Sequence, residues 1–185
     1  MSNTFLSADH HFGHRKFIIE KERPFSSVEE MDEALIQRWR EQVGPKDIVY
    51  YLGDLSFSNK TRTLAILDQL PGHIHYILGN HEKSIKGEVA TRFERVTHYY
   101  EIRHLVGGEK VKIILSHYPF EVWNMYHYGS WHCHGHSHGS LTQTRDIRRM
   151  DVGVDTRSNL DLWPLEEVEE IMKARGIDNV DHHTE

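Results

Sequence analysis

Seven oxygen and nitrogen donors of metal-binding type fall in five short segments. These are Asp9 and His11 in "SADHHFGH", Asp54 in "LGD", Asn80 in "GNHE", His117 in "LSH", and His136 and His138 in "GHSH". Brought together, two carboxylates repel and several imidazoles lose their hydration without return; cations remove both penalties. Mixed carboxylate and imidazole donors suit first-row ions such as manganese, iron, zinc or nickel better than calcium. The single cysteine, Cys133, argues against a structural zinc site. Seven donors are too many for one tetrahedral ion. They suit two divalent ions sharing a carboxylate, a pair about 3.5–4 Å apart in two-metal hydrolases, and Asp54 is the natural bridge.

Elements that end in these segments must position them. "NTFLSAD", "DIVYYLGD" and "HIHYILGNHE" read as buried strands running into Asp9, Asp54 and Asn80. Between them, "SSVEEMDEALIQRWREQVG" and "KTRTLAILDQLPG" read as helices. Ser26 or Ser27 can cap the first, with Glu29 or Glu30 three residues on, and Gly44-Pro45 stops it. The second carries Leu64, Leu67 and Leu70 and stops at Pro71-Gly72. Short connections between alternating strands and helices argue for parallel βαβ units. Farther on, "YYEIRHLV", "GGE" and "KVKIILSHYP" read as an antiparallel hairpin ending at Ser116-His117. "WHCHGHSHGSLTQT" and "RRMDVGVD" give further short strands. "WPLEEVEEIMKARG" reads as a closing helix with Pro164 in its first turn. The expectation is a parallel first half and a mostly antiparallel second half, two sheets face to face with helices outside. Ligands of open α/β sheets bind at the carboxyl ends of strands, so the five segments can meet at one place.

Asp9-x-His11, Gly53-Asp54, Gly79-Asn80-His81-Glu82, His117 and Gly135-His136-Ser137-His138 resemble the five ordered motifs of the calcineurin-like metallophosphoesterase superfamily. The match runs from Asp9 to His138. "VGVD" and the following "PLEEV" are similar to the closing strand and helix of small, cap-less bacterial and phage members. The resemblance implies a four-layer α/β/β/α sandwich of two mixed sheets. It also implies one metal on Asp9, His11, Asp54 and His138 and a second on Asp54, Asn80, His117 and His136. A water or hydroxide between the ions would attack phosphorus in line. His81 matches a non-ligand histidine that stabilises charge or protonates the leaving oxygen, and Glu82 would orient that imidazole.

Each residue also has a plainer reading. Any one His-x-His can be a solvated pair; five motifs in order cannot easily be. Side chains alternate along a strand, so His10 should face away from Asp9 and His11 if the backbone there is still extended. His132, His134, His136 and His138 share one parity, and only the motif match selects the last two. His14, beyond Gly13, is either a loop imidazole or a contact to substrate phosphate or leaving group. Arg15, Arg23 and Arg157 have phosphate-binding chemistry and nothing more to mark them. The stretch Tyr118 to His132 is either a packed loop or an aromatic wall for a base. His73 and His75 read as structural, and His182 and His183 as incidental.

At 185 residues the chain suits a single domain over residues 1–180 with a frayed tail at 181–185, and leaves no room for a cap domain. Hydrophobic residues make up 38% and charged residues 27%, with no apolar stretch near the ~18–20 residues of a membrane span. The start lacks signal-peptide features and the lone Cys133 fits a reducing compartment, so a cytoplasmic location is expected. A net charge of −6 without a basic run disfavours a grip on long nucleic acid but leaves small nucleotides open. The expectation is a dinuclear metal-dependent phosphoesterase, leaning to a phosphodiesterase on nucleotides or cyclic nucleotides. The rivals are a phosphomonoesterase or protein phosphatase, a non-catalytic scaffold of the same fold, and a histidine-based metal store.

Overall fold

In the first sheet, β1 (Thr4–Ser7), β2 (Ile48–Tyr51) and β3 (His73–Ile77) pair in parallel, Thr4 opposite Ile48 and Ile48 opposite His73. The computed structural model describes residues 2–20, 23–82 and 85–178; residues 181–185, read above as a frayed tail, lie outside them. Alternation along these strands sends Phe5, Val49, Tyr51, Ile74 and Tyr76 to one core and Leu6, Leu52 and Ile77 to another. A short β4 (Arg95–Thr97) extends the sheet parallel to β3, and β9 (Trp163–Pro164) pairs antiparallel with β1. Pro164 therefore lies in an edge strand rather than in the first turn of the closing helix. An edge position leaves its missing N–H without consequence.

Helix α1 (Arg15–Glu20), not anticipated from the sequence, follows the first donor segment. Helix α2 (Val28–Gln42) begins where the Ser27 hydroxyl accepts from the Glu30 N–H at 3.1 Å. Glu30 reaches back to the Ser26 N–H at 2.8 Å, one residue earlier than in a reciprocal capping box. Helix α3 (Lys60–Leu67) is capped by Asn59, and buried Leu70 lies beyond its end. Met31, Leu35, Ile36 and Trp39 of α2 and Ile66 and Leu67 of α3 pack on the first sheet's outer face.

The second sheet has the order β5-β6-β7-β8: β5 (Tyr99–Val106), β6 (Glu109–Ser116), β7 (Trp131–His134) and β8 (Arg149–Asp151). The β5-β6 hairpin turns through Gly107 and Gly108, both at positive φ. The pairs β6-β7 and β7-β8, however, are parallel, which corrects the expectation of a mostly antiparallel second half. Residues 117–130 and 135–148 are crossovers long enough to carry the chain back to the start of a parallel strand, and neither is a tight turn.

Two mixed sheets with four helices among the described residues form an α/β sandwich. Its layers differ from the α/β/β/α expectation on one side. Helix α4 (Leu165–Lys173) inserts Leu165, Val168 and Met172 into the core between the sheets. The second sheet's outer face is covered by the 118–130 loop, whose Trp123 and Tyr126 pack on Ile114. Cys133 is buried in the inter-sheet core, and burial pushes its thiol up to about 12. No helix among the described residues is long and apolar enough to cross a membrane.

Leu35 is fully buried between α2 and the first sheet. Leu35→Ala should lower unfolding stability by about 2–5 kcal/mol, read from the urea midpoint. A loss under about 0.5 kcal/mol would mean that α2 does not anchor that core.

Candidate metal centre

The carboxyl ends of β1, β2 and β3 face those of β6, β7 and β8 across the junction of the sheets, joined by a parallel bridge between Ala8 and Gly153. The chain must turn sharply on leaving each strand. Asp9, His11, Asp54, His136 and His138 all take left-handed φ between 48° and 67°. Non-glycine residues adopt this region only a few per cent of the time, and such strain persists where the surroundings fix it. Here the first two donor loops hold each other: Asp9 N–H donates to Gly53 O at 3.0 Å, His11 N–H to Asp54 O at 3.1 Å and Phe12 N–H to Leu55 O at 2.9 Å. Gly53 allows the approach, because a Cβ there would lie 2.6 Å from His117 Nδ1 and 2.8 Å from the Gly79 backbone.

One group of donors comprises Asp9, His11 and His138, with donor atoms within 4.8 Å of one another. Asp9 Oδ1 lies 3.9 Å from Nε2 of both His11 and His138. A second group comprises Asp9, Asp54 and His117. Asp54 Oδ2 lies 3.7 Å from His11 Nε2 and 3.7 Å from His117 Nε2, so one carboxylate oxygen stands between a histidine of each group. Asp9 also borders both groups, a place the sequence suggested for Asp54 alone. Asn80 Oδ1 lies 2.9 Å from His117 Nε2 and 2.9 Å from His136 Nδ1. All seven sequence-selected donors are thus drawn to one locality.

The polar groups fit cations. Asp9 and His11 are buried, and Asp9 Oδ1 and both ring nitrogens of His11 have no hydrogen-bond partner among the described residues. Burial, then the nearby charges of Asp151 and Asp54, pushes the Asp9 carboxyl well above the usual carboxylate range. Burial and the neighbouring His138 depress the His11 imidazole, so it supplies no compensating charge. At His117, Nδ1 donates to the Leu52 carbonyl at 2.7 Å, which leaves Nε2 of the neutral ring bare and facing the acceptor Asn80 Oδ1. Burial lowers the His117 pKa as well. Converging oxygen and nitrogen donors form a cation cradle, and carboxylate with imidazole nitrogen is the donor set of divalent transition metals.

Residues behind the donors fix them. Arg23 is buried, donates Nη1 to His10 O and Nη2 to Asp9 O, each at 2.7 Å, and pairs with both carboxylate oxygens of Asp155 at 2.8 Å. Asp155 Oδ2 in turn accepts from His138 Nδ1 at 2.7 Å, leaving His138 Nε2 toward Asp9. Burial alone would raise the Asp155 carboxyl, but its hydrogen bonds to Arg23 and His138 prevail and hold it well below the usual range. The sequence offered Arg23 only as a phosphate contact and Asp155 only as part of "VGVD". Pairing residues 132 positions apart leaves no local pattern.

Glu82 differs from expectation. Its Oε1 accepts from Asp54 N–H at 2.6 Å, Gly79 N–H at 3.0 Å and the Tyr76 hydroxyl at 2.8 Å, so it fixes the Asp54 turn and not the His81 imidazole. His81 is exposed at the rim, and its backbone N–H donates to Asp54 Oδ1 at 3.0 Å. Its ring lies 6.0 Å from that of His11 and 4.7 Å from that of Phe57. His14 lies parallel to Phe57 at 4.0 Å.

His10 does face away from the donors, hydrogen-bonded to Tyr51 at 2.9 Å and stacked on Phe12. Burial, helped by nearby Arg23, depresses it to about 3. The cause is the left-handed turn at Asp9 and His11 rather than strand alternation. His132 is held between Ile114 O and the Phe120 N–H, and His134 donates to Gly135 O. Arg157 pairs with Glu167, and His73 with Glu94.

No family model matches the sequence. It is 39% identical over 142 residues to the uncharacterized protein MJ1445 of Methanocaldococcus jannaschii, covering 76% of this chain and 72% of that one. It is 30% identical over 199 residues to the Gene 66 protein of Mycobacterium phage D29, covering 93% and 96%. Among solved structures, the protein of unknown function AQ665 from Aquifex aeolicus superposes with a TM-score of 0.69 at 19% identity, covering 92% of this chain and all of that one. That likeness establishes a shared fold.

Asp155→Asn should weaken metal binding at the His138 group about 10–100-fold, the usual effect of losing a carboxylate behind a ligating histidine. Competition titration against a chelating dye reads it directly, and unchanged affinity would show that His138 is held by other means.

Proposed function

We propose, for a chain that belongs to one family with the archaeal protein MJ1445 and the Gene 66 protein of phage D29, the activity of a dinuclear metal-dependent phosphoesterase. The observation that carries this reading is the position of Asp54 Oδ2, 3.7 Å from a nitrogen of His11 and 3.7 Å from a nitrogen of His117. A carboxylate between two donor groups is what a pair of ions needs. The motif resemblance to calcineurin-like metallophosphoesterases supports the same assignment. His11 and His138 with Asp9 would hold one ion, and His117, Asn80 and His136 the other, with manganese, iron, zinc or nickel as candidates. When bound, such ions supply Lewis acidity toward phosphate oxygens and lower the pKa of water.

The chain's own groups supply the rest. Glu82 and the Gly79 turn hold Asp54 in place, and the Arg23-Asp155 pair holds His138 and the Asp9 and His10 carbonyls. His81, exposed beside the donors, would give a proton to a leaving oxygen or stabilise charge on it. Asn80 and His136 are exposed as well, so the site opens on that side to a small ester. We read the activity as a phosphodiesterase acting on nucleotides or cyclic nucleotides.

After chelation and reconstitution with manganese or nickel, the protein should hydrolyse bis-p-nitrophenyl phosphate faster than p-nitrophenyl phosphate. Metal binding without turnover of either ester would sink the enzymatic reading, and a large monoester preference would replace the diesterase by a monoesterase. Asp54→Asn should empty both metal positions and abolish turnover; loss of one metal alone would take Asp54 out of the bridge. His81→Ala should retain metal and lower the rate by about 10²–10⁴, the scale of an acid or charge-stabilising group. Metal loss in that variant would make His81 a ligand.

A further inference from the structure

Phe57 stands at the mouth of the donor cluster with 39% of its surface exposed. Its ring lies 4.0 Å from that of His14 at an interplanar angle of 9°, 5.2 Å from that of His11 and 4.7 Å from that of His81. The backbone fixes it there: Phe57 N–H donates to Phe12 O at 2.9 Å, and Phe12 and Ser56 form a bridge between the first two donor loops. An apolar ring left exposed beside three site imidazoles offers no ligand atom to a cation. It presents a flat surface to whatever enters the site.

The other exposed ring nearby, Tyr118, meets His117 and His136 edge-on at 77° and 63° and so packs against the donors. Phe57 also touches a donor, His11, but its pairing with His14 is parallel, and two parallel rings are the start of a stack that a third flat ring can extend. Base-aromatic stacking is tolerant of sequence and needs only a π-face.

We infer that Phe57 is a specificity-determining residue that stacks on a flat aromatic group carried by the phosphate ester, of the kind a nucleobase provides. This rests on the phosphoester reading and assigns the residue that would contact the base of its substrate. Neither the sequence motifs nor the donor set points to it. Phe57 lies outside every segment the motifs mark, three residues beyond Asp54.

The test is calorimetric binding of three phosphates to the metal-loaded protein: adenosine 5′-monophosphate, phenyl phosphate and ribose 5-phosphate. Wild type should bind adenosine monophosphate about 5-fold or more tighter than ribose 5-phosphate, as stacking of one base implies. Phe57→Ala should bring that ratio close to one and Phe57→Trp should preserve it. A response of phenyl phosphate as large as that of the nucleotide would mark aryl groups in general, and a nucleotide response alone would mark the base. A wild-type ratio near one, or a ratio unchanged in Phe57→Ala, overturns the inference. Turnover of bis-p-nitrophenyl phosphate by the same wild-type preparation is scored separately. Base preference without turnover removes the enzymatic reading and keeps the stacking site; turnover without preference does the reverse.

Discussion

Two carboxylates, Asp9 and Asp54, are buried side by side at the place where two sheets meet, and most of the surrounding structure follows from that placement. Like charges taken out of water are among the costliest arrangements a protein can hold, and they persist only when protonated, paired or bridged by cations. Arg23, the buried cation nearest this point, does not pair with either carboxylate's side chain. Its guanidinium serves two backbone carbonyls and Asp155. The neighbouring imidazoles of His11 and His117 are pushed toward neutrality by their own burial. The protein has therefore gathered carboxylate and imidazole donors at one place and turned the Arg23 guanidinium to other partners.

Maintaining this arrangement requires backbone conformations that the local sequence does not favour. Left-handed turns at Asp9, His11, Asp54, His136 and His138 place donors where extended strands could not. Their cost is offset by packing on both sides: the Trp39-Tyr51-Tyr76 core under the first sheet and the Leu6-Leu115-Trp131 core between the sheets. The loops lock against each other through Gly53, and Gly135 makes room for Asp9, since a Cβ there would lie 2.7 Å from its Oδ2. Close approach at these two glycines is what turns five separate strand ends into one site.

The sequence made legible whatever depends on local pattern. Parallel β1, β2 and β3, the α2 and α3 helices and the β5-β6 hairpin all follow from apolar periodicity and turn residues. The donor segments were legible because each follows such a strand. What stayed hidden depends on contacts between distant residues. The parallel pairing of β7 and β8 is decided by crossover loops, whose length alone hints at it. The Arg23-Asp155-His138 chain joins three parts of the chain that share no motif, and the contact of Glu82 with Asp54 rather than His81 depends on the fold of the Gly79 turn. For His10 the expected orientation appeared for a different reason, the reversal of backbone twist at its two neighbours.

The site is also unequal in its two halves. Asp9, His11 and His117 are buried, and His138 is anchored through Asp155 to Arg23, so this half is fixed by the fold. Asn80, His81 and His136 are exposed, held by loop geometry and by the contacts of Asn80 Oδ1 with His117 and His136. A buried half favours tight holding of charge, because exclusion from bulk water strengthens every electrostatic contact there. An open half allows a small molecule to reach the same donors. The exposed aromatic rings, Phe57 beside His81 and Tyr118 beside His136, border that opening at the same strand ends that place the donors.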